Sequence, residues 1–370
     1  MKSLPIATLA VLVWALPAFS GERWRVQYSY QVPDAEFSIG ALAFPAPERG
    51  IAAGYLHENG KIKPYAVATS DGGRTWTPLT VPEPALSLFF LNQKTGWLVG
   101  RRSLWRTSDS GQTWTKLGRA PNALRVWFVS EQRGWAVGGK KSVYETSDGG
   151  ASWQRVAAAA EPKTTVDYTV YGAIAFASPQ RGMISGWSRP PRRGEPEQRD
   201  PEWLDPEAGA RREWPGVNIL LETQDGGAHW KVSQTSMFGQ ITRISLAPDA
   251  SALGLVEFFD KFEFPSEVYR VEARTGRNVR SFRSADRVVT DVLLDRTGTG
   301  YLAAFEPAGS VFRSPIPGKL KILKSEDLSQ WREMDVDYRA LARRAMLASA
   351  GPDHVWVATD TGMILKLSAE

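Results

Sequence analysis

The sequence predicts an all-β chain, a seven-bladed β-propeller of four-stranded blades whose ring is closed by the N-terminal strand pairing with the last blade. Three observations carry that expectation. The pattern Thr-x-Asp-x-Gly-x-x-Trp occurs four times, at Thr69 to Trp76, Thr107 to Trp114, Thr146 to Trp153 and Thr223 to Trp230. A short apolar segment, most often opened by Gly, recurs seven times. The last unit ends one strand short. Self-similarity at near-regular spacing is the signature of an array of small supersecondary units.

The octapeptide has the chemistry of a tight β-hairpin. An Asp carboxylate can accept backbone N–H groups of its own turn, and Gly supplies the positive φ that closes it. The Trp then opens the next strand and buries a large ring. Asp71, Asp109, Asp148 and Asp225, with Trp76, Trp114, Trp153 and Trp230, are therefore read as structural residues, neither catalysts nor metal ligands.

In chain order, Met1-Lys2-Ser3, the apolar run Leu4 to Phe19 and the small residues at Ala18 and Ser20 form the pattern of a secretory signal peptide, with cleavage expected after Ser20. Residues 1–20 are thus a leader and 21–370 a single propeller, exported to the periplasm or secreted. The chain has no Cys, so it has neither a disulfide framework nor a lipoprotein anchor. An apolar fraction of 42% and a charged fraction of 23% are ordinary for a globular protein. A net charge of +5 permits an acidic partner without requiring one, and no nucleic-acid recognition motif is present.

The Gly-opened segments are clearest at Gly96-Trp97-Leu98-Val99-Gly100 and Gly134-Trp135-Ala136-Val137-Gly138. Relatives begin at Gly50, Gly182, Gly254, Gly300 and Val355. An apolar run precedes each, such as Leu124 to Val129, and a third strand and the turn follow. Four strands per unit and seven units over about 350 residues give about 50 residues a blade, as propeller repeats do. The seventh blade lacks a fourth strand, and Trp24 to Tyr28 is expected to supply it, pairing with Met363 to Leu367 and removing an open sheet edge. Blades five and six have lost the full turn: one has Arg274-Thr275-Gly276-Arg277, the other the shortened Ser325 to Trp331. Residues 187–215 break the repeat as an insertion in blade four, with Trp187, Trp203 and Trp214. Long insertions of this kind are functional or disordered; Pro and mixed charge argue for mobility, the Trp residues for packing. Residues 306–319 form a smaller insertion in blade six.

The octapeptides resemble the Asp-box, or BNR repeat, of sialidase-like propellers. The order of elements resembles the photosystem II stability/assembly factor family, over blades one to four well and over the rest loosely. That resemblance implies an exported, non-catalytic binding scaffold that assists assembly or stability of a membrane or envelope protein, through a basic patch on one face. It implies a monomer with a protein partner and no cofactor or metal. The rival expectation is a carbohydrate-active enzyme or a glycan-binding propeller. The exposed Trp187, Trp203 and Trp214 would serve glycan binding, and Glu257, Asp260 and Glu263 would serve hydrolysis. Against an enzyme stand the missing nucleophile motif and the scattered His57, His229 and His354. Phe312-Arg313-Ser314-Pro315 is only distantly similar to a sialidase motif and lies in the wrong place.

Consecutive propeller turns alternate between faces. The octapeptide turns share the first face; the loops joining strands two and three, and those joining blades, share the second. The second face collects Lys61 and Lys63, Arg101 and Arg102, Lys140 and Lys141, Arg189, Arg192 and Arg193, and Arg339, Arg343 and Arg344. A partner-binding basic arc is expected at Arg101, Arg102, Lys140, Lys141, Arg189, Arg192 and Arg193. A scaffold is expected to leave its central axis free of carboxylates and of arginine clusters.

Overall fold

The computed structural model describes residues 21–190, 215–249, 251–258, 264–271, 277–307 and 316–368. Its strands form seven sheets, each antiparallel along the run of a blade. Blade two shows the unit: Ala85–Phe90 is innermost, followed outward by Gly96–Gly100, Leu104–Thr107 and the two-residue Thr115–Lys116. The burial pattern follows from the position of each strand. The middle strand Gly96–Gly100 is buried throughout, whereas Thr115–Lys116 at the rim is exposed.

The N-terminal closure is as expected. Arg23–Ser29 pairs antiparallel with Met363–Ser368, with Trp24 opposite Leu367. A feature not anticipated is a fifth strand. Asp335–Val336, in the connection from blade six to blade seven, pairs parallel with Arg23 and Trp24 and covers the edge that closure would leave.

The Gly-Trp segments gain their meaning between blades. Trp97 of blade two stacks flat on Phe128 of blade three, at 3.6 Å between centroids and 7° between planes. Trp153, the turn Trp of blade three, meets the same Phe128 edge-on. The triad recurs as Trp135, Phe176 and Trp230, and as Trp356, Phe44 and Trp76. Stacked and edge-on pairs add to the burial of large rings. The Gly that precedes the tryptophan is required by the Phe of its own blade: a Cβ on Gly134 would lie 2.4 Å from the Phe128 ring. One motif therefore places its Trp against the next blade and its Gly under its own innermost strand.

The octapeptide turns are alike in their hydrogen bonds. Asp71 Oδ1 accepts the N–H of Thr75 at 2.9 Å, and Thr69 Oγ1 accepts the N–H of Gly73 at 2.9 Å. Asp109, Asp148 and Asp225 repeat the first bond with Thr113, Ser152 and His229. His229 Nδ1 lies 2.7 Å from Asp225 Oδ2, so this His belongs to the turn. The shortened turn of blade six keeps the cradle, since Asp327 accepts the N–H groups of Ser329 and Gln330. The turn Arg274 to Gly276 lies outside the described residues.

The hydroxyls of Thr75, Thr113 and Ser152, which donate to the other carboxylate oxygen, together with these N–H groups, hold the carboxyls of Asp71 and Asp148 down to about 2 and that of Asp109 below its usual value; at Asp225 the His229 N–H and ring do the same, to about 2. A carboxylate whose pKa is lower folded than unfolded contributes stability fully above its unfolded value, about 4, and loses it as pH falls towards the folded one. The melting temperature is therefore expected to fall between about pH 4 and pH 2. Asp71→Asn should be less stable at neutral pH and show a shallower acid loss. An unchanged acid slope in an Asp71, Asp148 double Asn variant would contradict this.

Candidate functional site on the second face

The second face is set apart by its apolar surface. The exposed large hydrophobic residues among those described are Val32, Tyr55, Ile62, Leu86, Leu124, Val166, Tyr168, Phe238, Ile316, Tyr338 and Leu341. Topology puts all of them on the second face. Val32, Val166, Tyr168, Phe238, Tyr338 and Leu341 lie in connections between blades. Tyr55 and Ile62 stand in the hairpin of blade one, whose strands Arg49–Glu58 and Lys61–Thr69 are longer than their counterparts in blade two. Ile316 precedes the third strand of blade six. Leu86 and Leu124 are the bulged second residues of innermost strands, at their second-face ends. Scattered exposed apolar residues are normal; their confinement to one face is a mark of an interaction surface.

Several other cations of the second face are matched by carboxylates. Lys63 pairs with Glu58, Arg339 with Asp337, Arg343 with Asp360 and Glu36, and Arg344 with Glu257. Lys140 lies 3.7 Å from Asp167. Lys141 leaves the arc altogether. It is 5% exposed, and its ammonium donates to the carbonyls of Ala160, Pro162 and Thr164 in the connection to blade four. Burial, and then Arg155, lower its pKa. A long cation beside unpaired carbonyls is drawn inward, which the doublet Lys140-Lys141 does not reveal. Arg189 follows the second strand of blade four, its N–H donating to Tyr168 O. Arg192 and Arg193 lie outside the described residues.

Arg101 and Arg102 lie in the turn between the second and third strands of blade two. They line a groove of about 470 Å³ between the second-to-third-strand turn of blade two and the connection to blade three. Two further cations on its walls, Lys116 and Arg119, were missed by the sequence reading. The nearby Glu83 is already committed: it accepts the Trp105 indole N–H at 2.7 Å and the Arg102 backbone N–H at 3.1 Å. Arg101 and Arg102 have no ion-pair partner among the described residues. The groove thus presents guanidinium forks of the kind that suit carboxylates.

The candidate glycan residues fare differently. Trp187 does not open the insertion; it is the sixth residue of the strand Gly182–Ser188, paired with Val170 and Asn218. Its ring covers Gly172, where a Cβ would lie 2.5 Å away. The repeat therefore continues one residue past Trp187, and this ring is engaged in blade four. Trp203, Trp214, Asp260, Glu263 and residues 312–315 lie outside the described residues.

The axis is not bare, contrary to what was expected of a scaffold. Arg125, Arg243 and Asp291 occupy matching positions after the bulge of the innermost strands of blades three, five and six. Arg243 Nε lies 3.5 Å from Asp291 Oδ1, with side-chain exposures of 21% and 15%. Asp291 also accepts the N–H groups of Leu347 and Val292. Burial pushes its carboxyl up, against the pull of Arg243. Arg125 Nε donates to Gly172 O at 2.9 Å, and its guanidinium is pushed down to about 9, first by Arg243 and then by burial. A charged residue inside an otherwise apolar run, as in Leu124-Arg125-Val126-Trp127-Phe128, is the signal that could have found this cluster.

With the geometry in hand, the chain can be set beside solved structures. One described as YCF48 bound to D1 peptide superposes with a TM-score of 0.61 at 17% identity, covering 96% of this chain and 98% of that one. YCF48 from Cyanidioschyzon merolae gives 0.58 at 14% identity, over 93% and 98%. The WD40 propeller domain of Doa1 gives 0.55 at 10%, over 94% and 97%. The expected resemblance is met at the level of the fold. No protein-family model matches the chain, and no curated protein matches it.

Proposed function

We propose that this chain is an exported, monomeric binding scaffold whose second face docks a protein partner, an envelope or membrane protein whose assembly or stability it assists. The observation that carries this reading is the confinement of the exposed large hydrophobic residues to the second face, beside the four cations of the blade-two groove. Apolar anchors with guanidinium neighbours are what protein interfaces use for affinity. The resemblance to photosystem II assembly factors, and a neighbour described as bound to a peptide, favour a protein as the occupant. Residues 1–20 act as the export signal in this reading, and mass spectrometry of the exported protein should find Gly21 at its N-terminus.

A hydrolase would need a free acid and base. Asp291, on the innermost strand of blade six, and Glu257, on the second strand of blade five, are each engaged by Arg, Asp291 also by backbone N–H groups. Hydrolysis of a glycan panel by the purified chain would overturn the scaffold reading.

The test is retention of envelope proteins by the immobilised chain at low salt. Arg101→Glu with Arg102→Glu, and separately Ile62→Asp with Tyr338→Asp, should each cut retention at least tenfold with little change in melting temperature. Exposed loop charges contribute little to stability. Lys94→Glu with Arg74→Glu, on the first face, should leave retention intact. If the first-face pair abolishes retention and the second-face pairs do not, the docking face is wrongly assigned.

A further inference from the structure

We propose that the axial channel is an oxyanion site, distinct from the basic groove of blade two, in which Arg125 and Arg243 together hold one carboxylate, sulfate or phosphate group. Innermost strands surround the axis of a propeller, and blades three, five and six place a charged residue at the same register. Arg125 faces Val137, Arg243 faces Leu255 and Asp291 faces Ala303, each three residues past the start of its blade's second strand. The corresponding residues of blades one, two and four are Ala41, Ser87 and Ala173, which are small and leave room.

The cluster is short of negative charge. Arg243 and Arg125 repel one another, and Asp291 is the carboxylate beside them. At the second-face mouth Arg344 is matched by Glu257. Among the described residues, that leaves three guanidinium groups against two carboxylates. The donors are also unfilled. Arg125 spends Nε on Gly172 O, and Arg243 spends Nη1 on Thr242 O and Nε on Asp291. The two Nη groups of Arg125 and Nη2 of Arg243 have no hydrogen-bond partner among the described residues, and both residues are partly buried, not fully enclosed. Guanidinium groups anchored to the protein on one side, with N–H groups left over on the other, form a fork preset for an oxyanion. Blade four helps by what it lacks: any side chain on Gly172 would strike the Trp187 ring, so only its carbonyl meets Arg125.

The experiment is thermal unfolding of the full mature chain in low-salt buffer, with sodium sulfate, phosphate or acetate added against sodium chloride at equal ionic strength. A ligand that binds only the folded state raises the melting temperature in a saturable way. Wild type should gain a few degrees with the oxyanion over chloride. Arg125→Met and Arg243→Met should each lose that gain, and Arg102→Met should keep it. Arg125→Lys, which keeps the charge and not the fork, should lose most of the gain and serves if the Met variants do not fold. Gain with sulfate and phosphate alone assigns a free tetrahedral anion; gain with acetate as well assigns a carboxylate. The proposal is overturned if wild type shows no gain over chloride, if Arg125→Met retains it, or if Arg102→Met loses it. None of these results depends on partner retention, so the proposal and the scaffold reading can fail separately.

Discussion

Trp24→Ala should lower the melting temperature by roughly 5–10 °C, the largest loss expected from a single side chain in this protein. Removing a fully buried Trp costs about 3–5 kcal/mol through lost burial and a residual cavity. Trp24 is 0% exposed and packs in one cluster with Tyr301, Leu320, Met334 and Leu365. Its indole N–H points at the Met334 sulfur, 3.3 Å away, and its ring meets Tyr301 edge-on. Three parts of the chain converge there: the N-terminal strand, blade six and blade seven. The substitution therefore weakens ring closure as well as local packing. With closure loosened, Met363–Ser368 becomes an exposed edge, and the variant should scatter light on heating earlier than wild type. Trp24→Phe should recover part of the loss. A melting temperature within a degree of wild type for Trp24→Ala would mean that closure does not depend on this strand.

Lys141→Met should destabilise the protein by roughly 1–3 kcal/mol, because it leaves the buried Pro162 carbonyl and two part-buried ones without a donor. The stem of Met fills similar space, so the change isolates the ammonium. Ala160, Pro162 and Thr164 belong to the connection from blade three to blade four, which also carries the exposed Val166 and Tyr168. The effect should therefore reach the docking face. Amide exchange at residues 160–168 should rise, and partner retention should fall more than the loss of one surface charge would explain. Lys140→Met, one residue earlier, removes an exposed cation beside Asp167 and should change stability by less than about 0.5 kcal/mol. Equal effects for the two lysines would contradict the buried role of Lys141. Comparable exchange in both variants would separate the docking connection from this contact.

The contrast between these neighbouring lysines shows how far sequence reasoning reaches. Blade number, strand order, the octapeptide turns and the N-terminal closure were legible because each rests on local chemistry repeated along the chain. An Asp, a Gly and a Trp at fixed offsets make the same turn wherever they recur, and a Gly-Trp strand is the same strand in blade two as in blade three. Which face carries the loops also follows from strand order alone. The partner of each side chain is another matter. Arg339, Arg343 and Arg344 read as free rim charges, yet each meets a carboxylate, and for Arg344 that carboxylate lies 87 residues away in sequence. Trp187 reads as the start of the insertion, but its ring is taken by Gly172 on the adjacent strand. Arg125, Arg243 and Asp291 are far apart in the chain and become neighbours only when the ring closes around its axis. Local pattern determines the turns, strands and blade count, since their energetics are settled within a few residues. Tertiary structure alone decides which charges are matched, which lysine is buried and what lines the axis, because electrostatics and burial depend on distance in space.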